Sequence, residues 1–159
     1  MDNHDFEELV RAEQPGLLRL AWSLTGDPHA AHDLVQDALV RAYVKRRLLG
    51  RADHPRAYLR TLLLNVWRSR PMSRERASDN LPVRGVHDEH HLERRSLLEA
   101  LDNLSAQQRL VVALRHLDDL SVRQTAEVLG CSEQTVTTQC SRALARLREI
   151  PHLADLLEV

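Results

Sequence analysis

Aromatic residues are scarce in this chain of 159 residues, since one Phe, two Tyr and two Trp make up only 3% of it. Strands favour aromatic and β-branched residues, so this scarcity disfavours a sheet protein. Leu, Ala and Arg are abundant instead, and these residues favour helices. With 43% hydrophobic and 28% charged residues, the composition predicts a globular, all-α protein.

The chain also lacks long apolar runs and has little cysteine. No run approaches the roughly 18 apolar residues that a membrane span needs. The acidic start of the chain, with Asp2, Asp5, Glu7 and Glu8, is unlike the basic start of a secretory signal. Cys131 and Cys140 are too few for a disulfide framework and lack metal-site spacing. We therefore expect a cytoplasmic protein without a membrane partner.

Nine histidines raise the question of a metal, above all the group His87, His90 and His91. Zinc sites usually combine histidine with cysteine or carboxylate at fixed spacings, and these three have no cysteine or acidic partner at ligand spacing. The interpretation favoured here is solvated histidine side chains. The sequence therefore predicts neither a metal nor a cofactor.

Charge is distributed very unevenly, although the formal net charge is only −1. Residues 1–40 carry 2 basic and 8 acidic side chains, whereas residues 41–76 carry 11 basic and 2 acidic ones. The first segment thus has a net charge of −6 and the second of +9. An acidic block followed by a basic one indicates two different partners, one of them a polyanion. The alternative is a solvated, arginine-rich helix face.

Apolar residues recur at helical spacing through most of the chain. From Ala30 to about Arg47 they form one stripe, and Asp33, Gln36, Asp37 and Val40 face away from it. Residues 48–54 read as a loop, and Pro55 suits the first turn of a helix whose inner face excludes Arg60 and Leu64. Proline, glycine and small polar residues mark a linker near 75–91. We expect two small helical domains, residues 1–74 and 92–159.

The clearest motif is a helix-turn-helix within LSVRQTAEVLGCSEQTVTTQCSRALARLR, residues 120–148. Ser121 and Ser132 are placed to cap two successive helices. Between them stand a small residue, a turn glycine and a branched residue at the spacing that the motif needs: Ala126, Gly130 and Val136. Cys131 and Cys140 are interpreted as small hydrophobic residues of the turn and core.

The second helix of this motif predicts a DNA-reading surface. Five residues project outward near its start, where base edges are usually read: Glu133, Gln134, Thr137, Thr138 and Ser141. The arginines further along, Arg142, Arg146 and Arg148, suit phosphates. The alternative is an ordinary helical hairpin with a polar face.

Taken together, these segments resemble the extracytoplasmic-function sigma factors, most closely the actinobacterial SigE-family group. Residues 93–150 are similar to sigma region four, which binds the −35 element of promoters. FEELVRAEQPGLLRLAWSLTGDPHAAHDLVQDALVRAYVKRR and HPRAYLRTLLLNVWRSR are similar to region two, the second segment to its −10-recognition helix. The resemblance covers roughly residues 5–70 and 93–150 in the family's order.

The resemblance implies partners and residue roles. Asp33, Gln36 and Asp37 match the residues that dock on the β′ clamp helices of core RNA polymerase. The −10 helix would contact double-stranded and melted promoter DNA through the following residues: Arg56, Arg60, Thr61, Asn65 and Arg68. Asn65 lies near the pocket for a flipped base, and residues 48–54 match the specificity loop. The polymerase β flap is a further implied partner, and an anti-sigma factor is left open as another.

The resemblance therefore predicts an alternative sigma factor that directs promoter-specific initiation of transcription. A stand-alone helix-turn-helix regulator is the competing hypothesis, but it would need a dimer interface or an effector pocket. An enzyme is disfavoured because the sequence offers no phosphate-binding glycine loop, nucleophile motif or paired carboxylates.

Overall fold

The computed structural model describes residues 1–70 and 99–150, and no strand occurs in those ranges. The first half consists of α1 (Asn3–Thr25), α2 (Pro28–Val44), α3 (Arg46–Leu49) and α4 (Pro55–Arg68). The second consists of α5 (Ala106–Val112), a π-helical segment (Ala113–Leu117), α6 (Val122–Leu129) and α7 (Glu133–Arg148). The predicted all-α class is confirmed. The linker predicted at 75–91 and the three clustered histidines lie outside the described residues.

Local signals explain where the helices of the first half begin and end. Asp2 forms a capping box with Asp5 at the start of α1, and Gly26 ends this helix in the left-handed conformation with φ 68°. Asp27 caps α2 through the backbone N–H of Ala30, with Pro28 in its first turn. The predicted loop at 48–54 is shorter than expected, because α3 takes up residues to Leu49.

Helices α1, α2 and α4 contact one another around a core that is mainly leucine. The stripe predicted on α2 is buried at Leu34, Val35, Ala38 and Ala42. Tyr43 falls within the segment predicted to form that stripe but is 41% exposed. Its ring meets the Phe6 ring edge to face and lies beneath the Arg46 guanidinium. None of the helices in the described ranges has the length and apolar character to cross a membrane.

The two halves share one hydrophobic core. Five buried residues of the second half belong to the same cluster as the core of the first: Leu110, Ala113, Leu114, Leu120 and Val128. Helix α4 contacts α6, and α1 contacts the π-helical segment. The expectation that Arg60 and Leu64 lie off the inner face of α4 is therefore wrong. Both are completely buried, because the second half covers this second face.

The π-helical segment directs one carboxylate into this contact. A π-helix places one additional residue in a turn and changes the direction of the chain that follows. Here the Asp118 N–H donates to the Ala113 carbonyl at 3.0 Å, and Asp119 adopts a left-handed φ of 53°. As a result Asp118 points inward and is only 1% exposed, whereas Asp119 is exposed.

Candidate nucleic-acid and partner interfaces

The helix-turn-helix forms with the local geometry that its sequence predicts. Ser121 and Gln124 make a capping box at the start of α6. Gly130 has a φ of 67°, and the N–H of Cys131 donates to the Ala126 carbonyl at 3.1 Å, which closes the turn. The Ser132 hydroxyl accepts the Thr135 N–H at 3.1 Å and caps α7. Both caps and the turn glycine are thus where they were predicted.

Helix α7 has one buried and one exposed face. Val136, Ala143 and Leu147 are buried against the rest of the second half. All eight residues of α7 predicted to face DNA are exposed: Glu133, Gln134, Thr137, Thr138, Ser141, Arg142, Arg146 and Arg148. Ser132, Gln134, Thr135, Thr138 and Gln139 line a shallow groove of about 260 Å³ at the start of the helix. The predicted surface is thus a single, open, polar face.

The two cysteines are partly buried and support α7. Both contact the small apolar cluster of Val111, Ala126 and Val136. Burial raises the pKa of the Cys140 thiol, against the opposing effect of Arg115, so this thiol stays protonated at neutral pH. His116 Nε2 lies 3.3 Å from Cys140 Sγ, and burial, reinforced by Arg115, lowers the pKa of this histidine. No cluster with metal-ligating potential occurs among the described residues.

The outer face of α2 presents the residues matched to a polymerase dock. Asp33, Gln36 and Asp37 are all exposed. Asp37 makes an ion pair with Arg70, the last described residue of the first half. This surface stands opposite the buried stripe, so its side chains are free to contact a partner without disturbing the core.

An apolar strip continues this surface toward the end of α2. Val40 and Val44, which follow Asp33 and Asp37 at helical spacing, are 63% and 74% exposed, and Leu48 of α3 is 57% exposed. Val40 was predicted to face away from the stripe but without a role, and Val44 and Leu48 were not predicted to belong to a surface. The sequence does contain a signal for this strip, because its apolar residues repeat on the same helix face as the polar residues Asp33, Gln36 and Asp37.

The five residues predicted to contact the −10 element lie on two different sides of α4. Asn65 and Arg68 are exposed, and Thr61 beside them is half-buried, with its hydroxyl donating to the Ala57 carbonyl at 3.1 Å. Arg56 and Arg60 lie on the other side, against the second half. Arg60 Nε donates to Asp118 Oδ2 at 2.5 Å and its Nη2 to Oδ1 at 2.7 Å. In this arrangement Arg60 is completely buried, whereas Arg56 keeps about a third of its side chain exposed.

Comparison with known proteins accounts for both halves. Residues 9–77 match Sigma-70 region 2 and residues 94–147 match Sigma-70, region 4. An RNA polymerase sigma-E factor of Streptomyces avermitilis is 42% identical, with 96% of this chain and 88% of the relative aligned. One of Streptomyces antibioticus is 40% identical, with 96% and 87% aligned.

The fold has a solved counterpart. The sigma factor RpoE of Bartonella quintana, determined in complex with the anti-sigma factor NepR, superposes with a TM-score of 0.77. The match covers 91% of this chain and 95% of that one, at 31% sequence identity.

Proposed function

We propose specific interfaces for this chain, which belongs to the sigma-70 family and is an alternative sigma factor of the extracytoplasmic-function type that directs transcription initiation. We assign residues 1–74 to binding of core polymerase and the −10 element, and residues 92–159 to the −35 element. Residues 75–91 are assigned to the linker. The observation that supports this proposal is the match to sigma regions 2 and 4 in the order of the family. The same match disfavours a stand-alone regulator.

The outer face of α2 is the proposed dock for the β′ clamp helices. Asp33, Gln36 and Asp37 supply acidic and polar groups, and Val40 and Val44 supply the apolar surface that a stable interface requires at its centre. Exposed apolar residues that adjoin one another are typical of a partner surface. The second half is proposed to bind the β flap of the polymerase, as the resemblance to extracytoplasmic-function sigma factors implies.

Further partners follow from the same assignment. An anti-sigma protein is proposed as a regulator of this chain, supported by the RpoE structure that contains NepR. Because polymerase and promoters are its targets, we place its action in the cytoplasm, on the nucleoid, and we assign it no catalytic role.

The proposed function is tested by reconstitution. The full chain is added to core RNA polymerase, co-purification is measured, and the 5′ ends of transcripts from genomic DNA are mapped. We expect a stoichiometric complex and transcripts that share −35 and −10 sequences. A chain that binds DNA specifically but never retains core polymerase would instead be a stand-alone regulator.

Base reading and phosphate binding by α7 are expected to respond differently to substitution. Arg146→Ala removes an arginine that is assigned to a phosphate. It should reduce the slope of log K against log salt concentration for −35 binding by about one unit and leave the preferred sequence unchanged. Gln134→Ala should leave that slope unchanged but alter the preferred bases, since a good bidentate pair contributes roughly 1–3 kcal/mol of discrimination. Salt titrations with a library of −35 sequences measure both. An unchanged preference in Gln134→Ala would mean that α7 enters the groove in another orientation.

Asn65 is expected to control promoter opening. Its amide is exposed on α4 and can hydrogen-bond to the edge of one unstacked base. Unstacking costs a few kcal/mol, so loss of the capture should lower the yield of open complexes by roughly tenfold or more. Runoff transcription by holoenzyme containing Asn65→Ala checks this, with co-purification of core polymerase as the control. Normal transcription by this variant would remove Asn65 from the −10 site.

A further inference from the structure

Two arginines that the sequence assigns to DNA are held by carboxylates in this structure. Arg60 is completely buried, although arginine is almost never so unless it is paired. It makes two hydrogen bonds to the carboxylate of Asp118, at 2.5 and 2.7 Å, and it forms an ion pair with Glu13. Arg60 and Glu13 belong to the first half and Asp118 to the second, so this cluster joins the halves.

Arg56 completes the cluster but is poorly satisfied within it. One of its terminal nitrogens donates to the Asp118 carbonyl and lies 3.4 Å from Asp118 Oδ1. Its Nε is buried 3.4 Å from Glu13 Oε2 but makes no hydrogen bond. A buried donor without a partner is costly. Arg56 therefore gains less from this contact than it would from a phosphate that accepts from the whole guanidinium.

Glycine permits the close approach of the halves. Gly16 of α1 lies directly against the carboxylate of Asp118 and the guanidinium of Arg60, and a Cβ at this position would overlap both. The helix itself gains nothing from glycine here, because alanine favours a helix by about 1 kcal/mol. The glycine is explained by the contact with Asp118 rather than by the fold of α1.

A buried ion pair suits a contact that opens. It contributes little more than an apolar replacement would, because both charges lose water on burial, but both recover water when the contact separates. Removal of one partner is much more costly, since the other charge stays buried alone. If the contact between the two halves opens, the ratio of its closed and open states should therefore be sensitive to Asp118.

We propose that Glu13, Arg56, Arg60 and Asp118 form a latch that withholds part of the −10 helix from DNA in the free protein. The latch rests on the proposed role of α4 in DNA binding. The dock on α2 and the recognition face of α7 stay exposed while it is closed. Core polymerase can therefore engage the closed chain. Arg60 becomes available to phosphates only when the halves separate, and Arg56, which is 35% exposed in the closed state, then loses its contacts with Asp118.

Opening is measured by the reactivity of a thiol placed under the contact. Leu64 follows Arg60 by one turn, is fully buried, and shares the core cluster with Val128 of α6. In a full-length chain with Leu64→Cys and alanine at positions 131 and 140, the labelling rate is proportional to the open fraction. We expect Asp118→Asn to raise that rate about a hundredfold. Asp119→Asn removes the same charge from an exposed neighbour and should change nothing.

A second variant separates opening from misfolding. Gly16→Ala should accelerate labelling to a similar extent, because its methyl group displaces Asp118, while the helix content of the protein is unchanged or higher. If neither variant accelerates labelling, the halves are held together by apolar contacts and the latch is overturned.

The last measurement asks whether the uncovered surface binds DNA. The probe is a 20-nucleotide single-stranded DNA of mixed sequence. Its affinity for the free protein is measured at increasing salt concentrations. Two freed arginines should steepen the salt dependence by about 1.4 units in Asp118→Asn relative to Asp119→Asn. Faster labelling with an unchanged slope would overturn the DNA-binding role of Arg56 and Arg60, and with it the latch's function. Unchanged labelling would overturn the latch but leave the −10 assignment intact.

Discussion

Gln36→Ala combined with Asp37→Arg is expected to abolish binding of core RNA polymerase and to leave the melting temperature nearly unchanged. Both side chains are exposed on the outer face of α2, opposite the buried stripe. Among the described residues, the change breaks the exposed ion pair between Asp37 and Arg70, and such pairs contribute about 0–1 kcal/mol. Charge reversal within an interface is more costly, because like charges then face each other.

Co-purification with core enzyme and circular dichroism during heating measure the two effects. The matched control is Glu7→Arg, which reverses a charge on an exposed position of α1 outside the dock and should bind normally. A further variant, Val40→Ser with Val44→Ser, isolates the apolar strip and should weaken binding roughly tenfold or more. Undiminished co-purification of the Gln36/Asp37 variant would show that the dock lies elsewhere.

Features fixed by short-range interactions could be predicted from the sequence. The helix-turn-helix is the clearest case, because Ser121, Gly130 and Ser132 determine the caps and the turn within three or four residues of themselves. The exposed face of α7 follows from helical periodicity once Val136 is placed inward. The same reasoning correctly placed Asp33, Gln36 and Asp37 on the outer face of α2.

Features fixed by contacts between distant segments could not be predicted. The burial of Arg60 depends on Asp118, 58 positions along the chain, and on a π-helical turn that no local pattern announces. Leu64 was placed on an outer face for the same reason, since periodicity reports one buried stripe and not a second face covered by another segment. Gly16 carries a signal that was visible but ambiguous, because a glycine in a helix marks a close approach without naming its partner.

The largest loss of stability is expected from Leu34→Ala. Leu34 is completely buried in α2, where it belongs to the core that α1, α2 and α4 share. Truncation of a buried leucine removes its transfer free energy and leaves a cavity, which together cost roughly 2–5 kcal/mol. Because a domain of this size is stable by only about 5–15 kcal/mol, the change removes a large part of the total.

Thermal unfolding is the measurement, and the melting temperature should fall by roughly 2–4 °C for each kcal/mol lost. Val40→Ala is the matched control, because it shortens an apolar side chain on the same helix that is 63% exposed and should leave the melting temperature unchanged. The pair of variants also separates fold from function. Well below its melting temperature, Leu34→Ala keeps the outer face of α2 and should bind core polymerase, whereas Val40→Ala should bind it less tightly. Equal melting temperatures for the two variants would contradict the division of α2 into a core face and a partner face.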